Sequence, residues 1–328
     1  MNQTPKDAER LVQEALTQLG WKADPKRIAA RVWRLNLGLP REDEFTVVCT
    51  WLGRCHLIHK LDQKQTPAKS RETFQVPDLF AVFCYENRSV PVLVEVKSSK
   101  ANTLSFRPDY FQRLQNYAAL VRLPILIAWK HLGLWILFDA SHLQKAQQNF
   151  NITFQNAIRE NLLGVLAGDF SYSLSDGASL HLRFKKEELV AETPHGNGTE
   201  QQWKTTCDDV SFTDGAGQVH RDFNIQIQSL FLSWPLGQEE THTPTHITMS
   251  YVARGDQGLF AHMALVRLLD WQIPSGNSIN WRTLLGQSPV LHGVDDFGAA
   301  IRSALEQKVV HHVIHQVPVT MPAFLSTS

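Results

Sequence analysis

The absences in this chain narrow it first. It has 328 residues but four cysteines, Cys49, Cys55, Cys84 and Cys207. None forms a CxxC pair and they are too sparse for a disulfide scaffold, so free thiols in a reducing cytoplasm are expected. Long apolar runs are missing: Leu123 to Phe138 contains Lys130 and His131 and falls short of the ~20 residues a membrane helix needs. The opening, Met1 to Arg10, is polar, with no signal-peptide core. A cytoplasmic protein with no membrane contact is therefore expected. There is no GxGxxG and no Walker loop, so no nucleotide cofactor is expected. Net charge is absent too, 32 basic side chains balancing 32 acidic ones.

The charge that is present is unevenly placed. Residues 1–190 carry 25 basic and 19 acidic side chains, residues 191–328 carry 7 and 13. The front half thus suits a polyanionic ligand, and the back half is a poor phosphate binder. Length favours two domains, since single domains cluster near ~100–150 residues. Ala191 to Gln201 is poor in apolar residues and rich in turn formers. The expected division is therefore a first domain over 1–190, a linker over 191–201 and an accessory domain over 202–328.

Periodicity supplies the elements. Helices are expected over Thr4 to Leu19 and, with a basic face, Pro25 to Arg34. Phe45 to Trp51 and Cys55 to Leu61 read as a hairpin around Leu52-Gly53-Arg54, followed by a polar loop from Asp62 to Thr73. Val76 to Tyr85 and Val90 to Lys97 read as strands around a short turn. Asp109 to Val121 is a helix with Phe111, Leu114, Ala118 and Val121 on one face. Pro124 to Trp129 and Leu134 to Phe138 are buried strands, Phe154 to Leu166 a helix, and Phe170 to Phe184 a hairpin turning at Ser175-Asp176-Gly177.

In the second half, helices are expected over Gly258 to Asp270, Asn280 to Leu285, and from an Asp295 cap to Gln307, with a strand over Val309 to Val319. Three helices then a strand is the order of a winged helix. Its would-be recognition helix opens with Asp295-Asp296, so this α+β domain is expected to bind protein, or a second copy, rather than DNA. His242 and His246 are four apart, but Pro244 between them argues for a loop. His311, His312 and His315 are read as surface positions of a strand.

Chemistry concentrates in Val92-Leu93-Val94-Glu95-Val96-Lys97. Strand side chains alternate, so Leu93, Glu95 and Lys97 point one way and the valines the other. Asp78 follows Pro77 at the start of the preceding strand. A two-residue turn at Glu86-Asn87, a length favoured in hairpins, would place Asp78 directly opposite Glu95. A slip of one residue would send it to the other face. Two carboxylates beside a lysine suit Mg²⁺, which keeps several waters and takes one or two carboxylates plus substrate phosphate. The lysine can orient or deprotonate an attacking water and stabilise developing charge.

Pro77-Asp78, a sixteen-residue gap and Glu95-Val96-Lys97 in an apolar strand resemble the PD-(D/E)XK nuclease superfamily. The resemblance implies a restriction-endonuclease-like α/β core, a mixed sheet flanked by helices, over residues 4–138. It also implies metal held by Asp78, Glu95 and the Val96 carbonyl, with Lys97 serving the water. Archaeal Holliday-junction resolvases of this superfamily add a glutamate on the first helix, matched best by Glu9 and less well by Glu14. Many members carry Gln or Tyr on the helix after the lysine, where Gln112, Gln115 and Tyr117 are the options and Gln115 is taken. Lys100, Arg107, Arg113 and Arg122 follow the motif, where substrate backbone would pass.

The expected function is a Mg²⁺-dependent endonuclease hydrolysing DNA, Mn²⁺ substituting, in restriction, antiviral defence or junction processing. DNA and a protein partner or homodimer are its expected partners. The alternatives are the nuclease subunit of a heteromeric transposase, and a non-catalytic nucleic-acid-binding or assembly subunit that keeps the fold.

Overall fold

A computed structural model describes residues 41–195, 198–255, 257–272, 279–287, 290 and 296–326. The helices expected over residues 4–34 lie outside the described residues. The chain forms two compact units: residues 1–168 with 280–290 and 317–328, and residues 169–279 with 291–316.

The first described element of unit 1 is a helix, α1 (residues 41–52), followed by β1 (Cys55–Lys60). This corrects the expected hairpin over 45–61. Phe45, Val47, Val48 and Cys49 are all buried, and so are Asp43, Glu44 and Thr46. A helix buried on all sides shows no amphipathic period and reads as a strand-like apolar run. Gly53, at φ 87°, stops the helix in the left-handed conformation that favours glycine there.

Next come β2 (Leu79–Tyr85) and β3 (Arg88–Ser98), then β4 (Thr103–Phe106), α2 (Pro108–Val121), β5 (Ile125–His131) and β6 (Leu134–Asp139). The main sheet runs β1-β2-β3-β5-β6. All its pairs are antiparallel except β3 with β5. The parallel step is the one that needs a crossover, which β4 and α2 provide. Leu93, Ile127 and Trp129 on one face pack with Phe111, Leu114 and Ala118 of α2. Phe45 of α1 meets Trp135 with ring centroids 5.0 Å apart.

The helix expected over 154–166 is two, α3 (Phe154–Arg159) and α4 (Leu163–Ala167). Asn161 interrupts it, its Oδ1 accepting from the Leu137 and Leu163 amides at 2.9 and 3.1 Å. Two small strands, β7 (Gln144–Lys145) and β8 (Phe150–Thr153), form a minor sheet with β4.

The chain returns to unit 1 at its end. The Val319 amide donates to the Arg159 carbonyl, Arg88 donates to the Leu325 carbonyl, and Leu325 is buried. A helical turn, Trp281–Leu284, also belongs to this unit.

Unit 2 is rich in β structure. It contains β9 (Ser171–Leu174), β10 (Ser179–His195), β11 (Gly198–Thr213), β12 (Val219–His220), α5 (Ile225–Ser233), β13 (Gly237–His242), β14 (His246–Val252), β15 (Leu259–Phe260), α6 (Ala261–Gln272), α7 (Phe297–Glu306) and β16 (Val310–Ile314). Its sheets run β12-β11-β10-β14-β13 and β15-β9-β16.

Several expectations change here. Residues 191–195 and 198–201 are paired strand, not linker, and the units divide at Gly168. Turn-forming residues mark the end of a long exposed hairpin just as well as a linker, because both face water. Strands β9 and β10 do not pair with each other, so residues 170–184 are not a hairpin. The middle helix of the expected winged-helix trio belongs to unit 1, and the cap of α7 is Asp296, whose Oδ1 accepts from the Ala299 amide at 2.9 Å. His242 and His246 end paired strands, bonded to Glu240 and Asp208.

Candidate active site

The β2–β3 turn is Glu86-Asn87, both at positive φ (47° and 60°), as a two-residue type I′ hairpin requires. Tyr85 faces Arg88 and, at the far end, Leu79 faces Val94. One residue beyond, Asp78 lies across from Glu95. The Asp78 carbonyl accepts from the Leu61 amide at 3.0 Å, and its Oδ2 accepts from the Val96 amide at 2.7 Å. Both contacts hold the carboxylate at the end of the ladder.

Glu95 is fully buried. Its Oε1 accepts from Lys97 Nζ and, at 2.5 Å, from the Tyr110 hydroxyl. Its Oε2 is buried and accepts no hydrogen bond. Lys97 also donates to the Val96 carbonyl at 3.3 Å. The site lies on the face that α2 covers, because Glu95 and Lys97 pair with Ile127 and Trp129 of the parallel strand β5.

The charges act on one another. Burial and the Glu95 carboxylate hold the Asp78 carboxyl well above its ordinary range, against the pull of Lys97. Burial works against the Lys97 ammonium, but Glu95 and Asp78 outweigh it and raise its pKa. Lys97 is therefore a cation in this arrangement. Burial and Glu95 push the Tyr110 hydroxyl far above a free tyrosine, so it remains a donor.

The third acidic contributor is Glu42 on α1. Its charge acts on Asp78, Glu95 and Lys97, and burial raises its own pKa against the pull of Lys60. Lys60 Nζ lies 3.2 Å from Glu42 and 2.7 Å from Asp43. Glu9 and Glu14 lie outside the described residues. The helix that directly precedes β1 carries Glu42, and sequence reading missed it because residues 45–51 looked like a strand.

Gln115 is not brought to the site. It is exposed and lines a cleft with Ala119, Arg122, Pro124, Asp139 and Ser141. Tyr110, in the first turn of α2, takes the place expected of it. The crossover runs α2 back against the strands, so its first turn lies nearest the end of β3, and each later turn is about 5.4 Å further away. That direction was the signal available in the sequence. Of the four basic residues expected along the substrate, Lys100, Arg107 and Arg122 are exposed, and Arg113 lies 4.0 Å from Asp109.

Among the described residues no cluster of three or more His, Cys, Asp or Glu is arranged to hold a metal. The available donors are two carboxylates, a set that fits Mg²⁺, which keeps most of its water. The unpartnered, buried Glu95 Oε2 is an acceptor that a cation would satisfy.

Residues 65–167 match the family model of the archaeal Holliday junction resolvase (Hjc). The core is a PD-(D/E)XK fold. Among solved structures, the Hjc of Archaeoglobus fulgidus, a Holliday junction resolvase from an archaeal hyperthermophile, is similar at 21% identity with a TM-score of 0.30. The likeness covers 36% of this chain and 89% of that one. No curated protein matches the chain. The matched segment runs from before β2 to the end of α4 and leaves α1, β1 and the β-rich unit 2 outside it.

Proposed function

We propose that this protein is a Mg²⁺-dependent endonuclease that hydrolyses DNA phosphodiester bonds, with branched junctions as its substrate class. The observation that carries the reading is Asp78 across from Glu95, with Lys97 on the same strand face as Glu95. The family match over residues 65–167 supports it. Asp78, Glu95 and the Val96 carbonyl would hold a divalent cation, which would supply Lewis acidity and offset phosphate charge.

The chain's own residues do the rest. Asp78 is held by the Val96 amide, and Glu95 by Tyr110, which fixes the two carboxylates before any ligand arrives. The Lys97 ammonium orients the attacking water and stabilises the charge that develops on the phosphorus oxygens. Glu42 adds negative charge from the opposite helix and strengthens the site's preference for a cation. Lys100, Arg107 and Arg122, exposed after the motif, offer phosphate contacts. Mn²⁺ fits the same donors.

Unit 2 is proposed to bind a protein partner or a second copy. Arg183 on its sheet and Arg221 just past β12 are already paired with Asp208 and Asp209 at 3.1 and 3.2 Å, which leaves less positive charge for phosphate.

The test is cleavage of a four-way junction and a linear duplex of the same sequence, with Mg²⁺, Mn²⁺ or EDTA. Metal-dependent cleavage favouring the junction supports the proposal. Equal cleavage of both substrates removes the junction preference, and binding without cleavage, indifferent to metal, favours the non-catalytic subunit.

A further inference from the structure

One oxygen of Glu95 accepts two hydrogen bonds and the other accepts none. The two donors differ in kind. Lys97 is a cation on a flexible four-carbon stem, proposed above to act on substrate, whereas Tyr110 is anchored in the first turn of α2 and uncharged. The Lys97 ammonium also lies over two rings, 5.8 Å from the Phe106 centroid and 5.5 Å from that of Tyr110. Those rings are 6.2 Å apart and inclined by 26°. One short segment, residues 106–110, thus supplies both a hydroxyl for the carboxylate and an aromatic seat for the ammonium.

We propose that Tyr110 is a positioning residue that keeps Glu95 Oε2 turned toward the cation when Lys97 leaves Glu95 for the substrate, and that Phe106 and Tyr110 form the seat to which the ammonium returns. The inference rests on the nuclease reading and adds a division of labour to it. The terminal torsion of a glutamate is broad. With Lys97 as sole donor, its departure would release the carboxylate at the moment the cation needs it fixed. A second donor on the same oxygen removes that conflict. Aromatic faces hold an ammonium without neutralising it, so the seat retains Lys97 as a cation yet lets it go.

The test is a calorimetric titration of the full chain with Mg²⁺, without DNA, on wild type, Tyr110→Phe, Lys97→Met and the double variant. Tyr110→Phe keeps the ring and removes only the hydroxyl. It is expected to weaken Mg²⁺ binding by about 10–100-fold, the effect typical of removing a hydrogen bond to a metal ligand. The loss is expected to be larger in the Lys97→Met background, where Tyr110 is the only donor left. Excess Mg²⁺ is expected to restore cleavage by Tyr110→Phe. Wild-type affinity in Tyr110→Phe, with or without a lower melting temperature, overturns the inference. So does a cleavage defect that excess Mg²⁺ does not repair. Wild-type protein that binds no Mg²⁺ overturns instead the nuclease reading on which the inference stands.

Discussion

Asp78 stands across the strand pair from Glu95, and its carboxylate is tied to the amide of Val96, the residue after its partner. Two carboxyl groups are thereby held close, Glu95 fully buried and Asp78 partly so, where burial and the neighbouring carboxylate disfavour a charge on Asp78. A negative charge on Asp78 therefore costs free energy that a bound divalent cation would offset.

Removing one of those charges should therefore stabilise the metal-free protein. Asp78→Asn is expected to raise the unfolding free energy in EDTA by about 1 kcal/mol or more, while abolishing Mg²⁺ binding. The sign follows from the raised pKa of Asp78. A carboxyl with a folded pKa above its unfolded 3.8 favours folding at low pH and loses that contribution as pH rises through the folded value. The advantage of Asn over Asp should thus be small near pH 4 and grow toward neutrality. Denaturant melts at several pH values, with and without Mg²⁺, check it.

The hairpin that sets the register carries a removable strain. Glu86 and Asn87 both hold positive φ, a conformation costing roughly 1–2 kcal/mol for an ordinary side chain. Replacing the pair by Asn-Gly, the residues a type I′ turn favours, is expected to add about 1 kcal/mol of stability. Mg²⁺ affinity should not change, because the register does not. A shifted affinity in the calorimeter would show that the turn does more than close the ladder.

Unit 2 carries a pH dependence of its own. His181 is half-buried and bonded to Ser250, Thr213 and Ser179 at 2.8, 2.9 and 3.1 Å, and burial lowers its pKa. The unfolded chain binds a proton more readily, so stability from this residue is full above about pH 6.5 and declines as pH falls through that value. His181→Gln should flatten the acid limb of the thermal stability curve between about pH 7 and pH 5.5. An unchanged limb would place the dependence elsewhere.

Truncation tests the chain's return. Ending the protein after residue 316 removes Leu325 from the interior of unit 1 and the Val319 contact with Arg159. Burial of one leucine contributes on the order of 2–5 kcal/mol, so the shortened chain should unfold at markedly lower denaturant. Ending it after residue 201 should be worse, because β10 also loses most of β11 and all of β14.

The site was legible where local rules decide geometry. Alternation in 92–97 and the length of the turn at 86–87 are enough to put Asp78 across from Glu95, since a strand pair has only one spacing once its turn is set. Glu42 and Tyr110 were hidden for different reasons. Glu42 sits on a helix buried on every side, whose pattern lacks the period that marks a helix. Tyr110 is brought to Glu95 by the crossover direction of α2, and the choice of Gln115 ignored which end of the helix meets the strand. The division at Gly168 and the return of residues 317–326 to unit 1 depend on contacts far apart in the chain, which composition does not record.

The most direct test of the account is nicking of supercoiled DNA by wild type, Asp78→Asn and Lys97→Ala, each with Mg²⁺ and with EDTA. The account predicts nicking by the wild type that EDTA abolishes and that falls on the order of 10²–10³-fold or more in both folded variants. Nicking that survives in Asp78→Asn, or in EDTA, would contradict it.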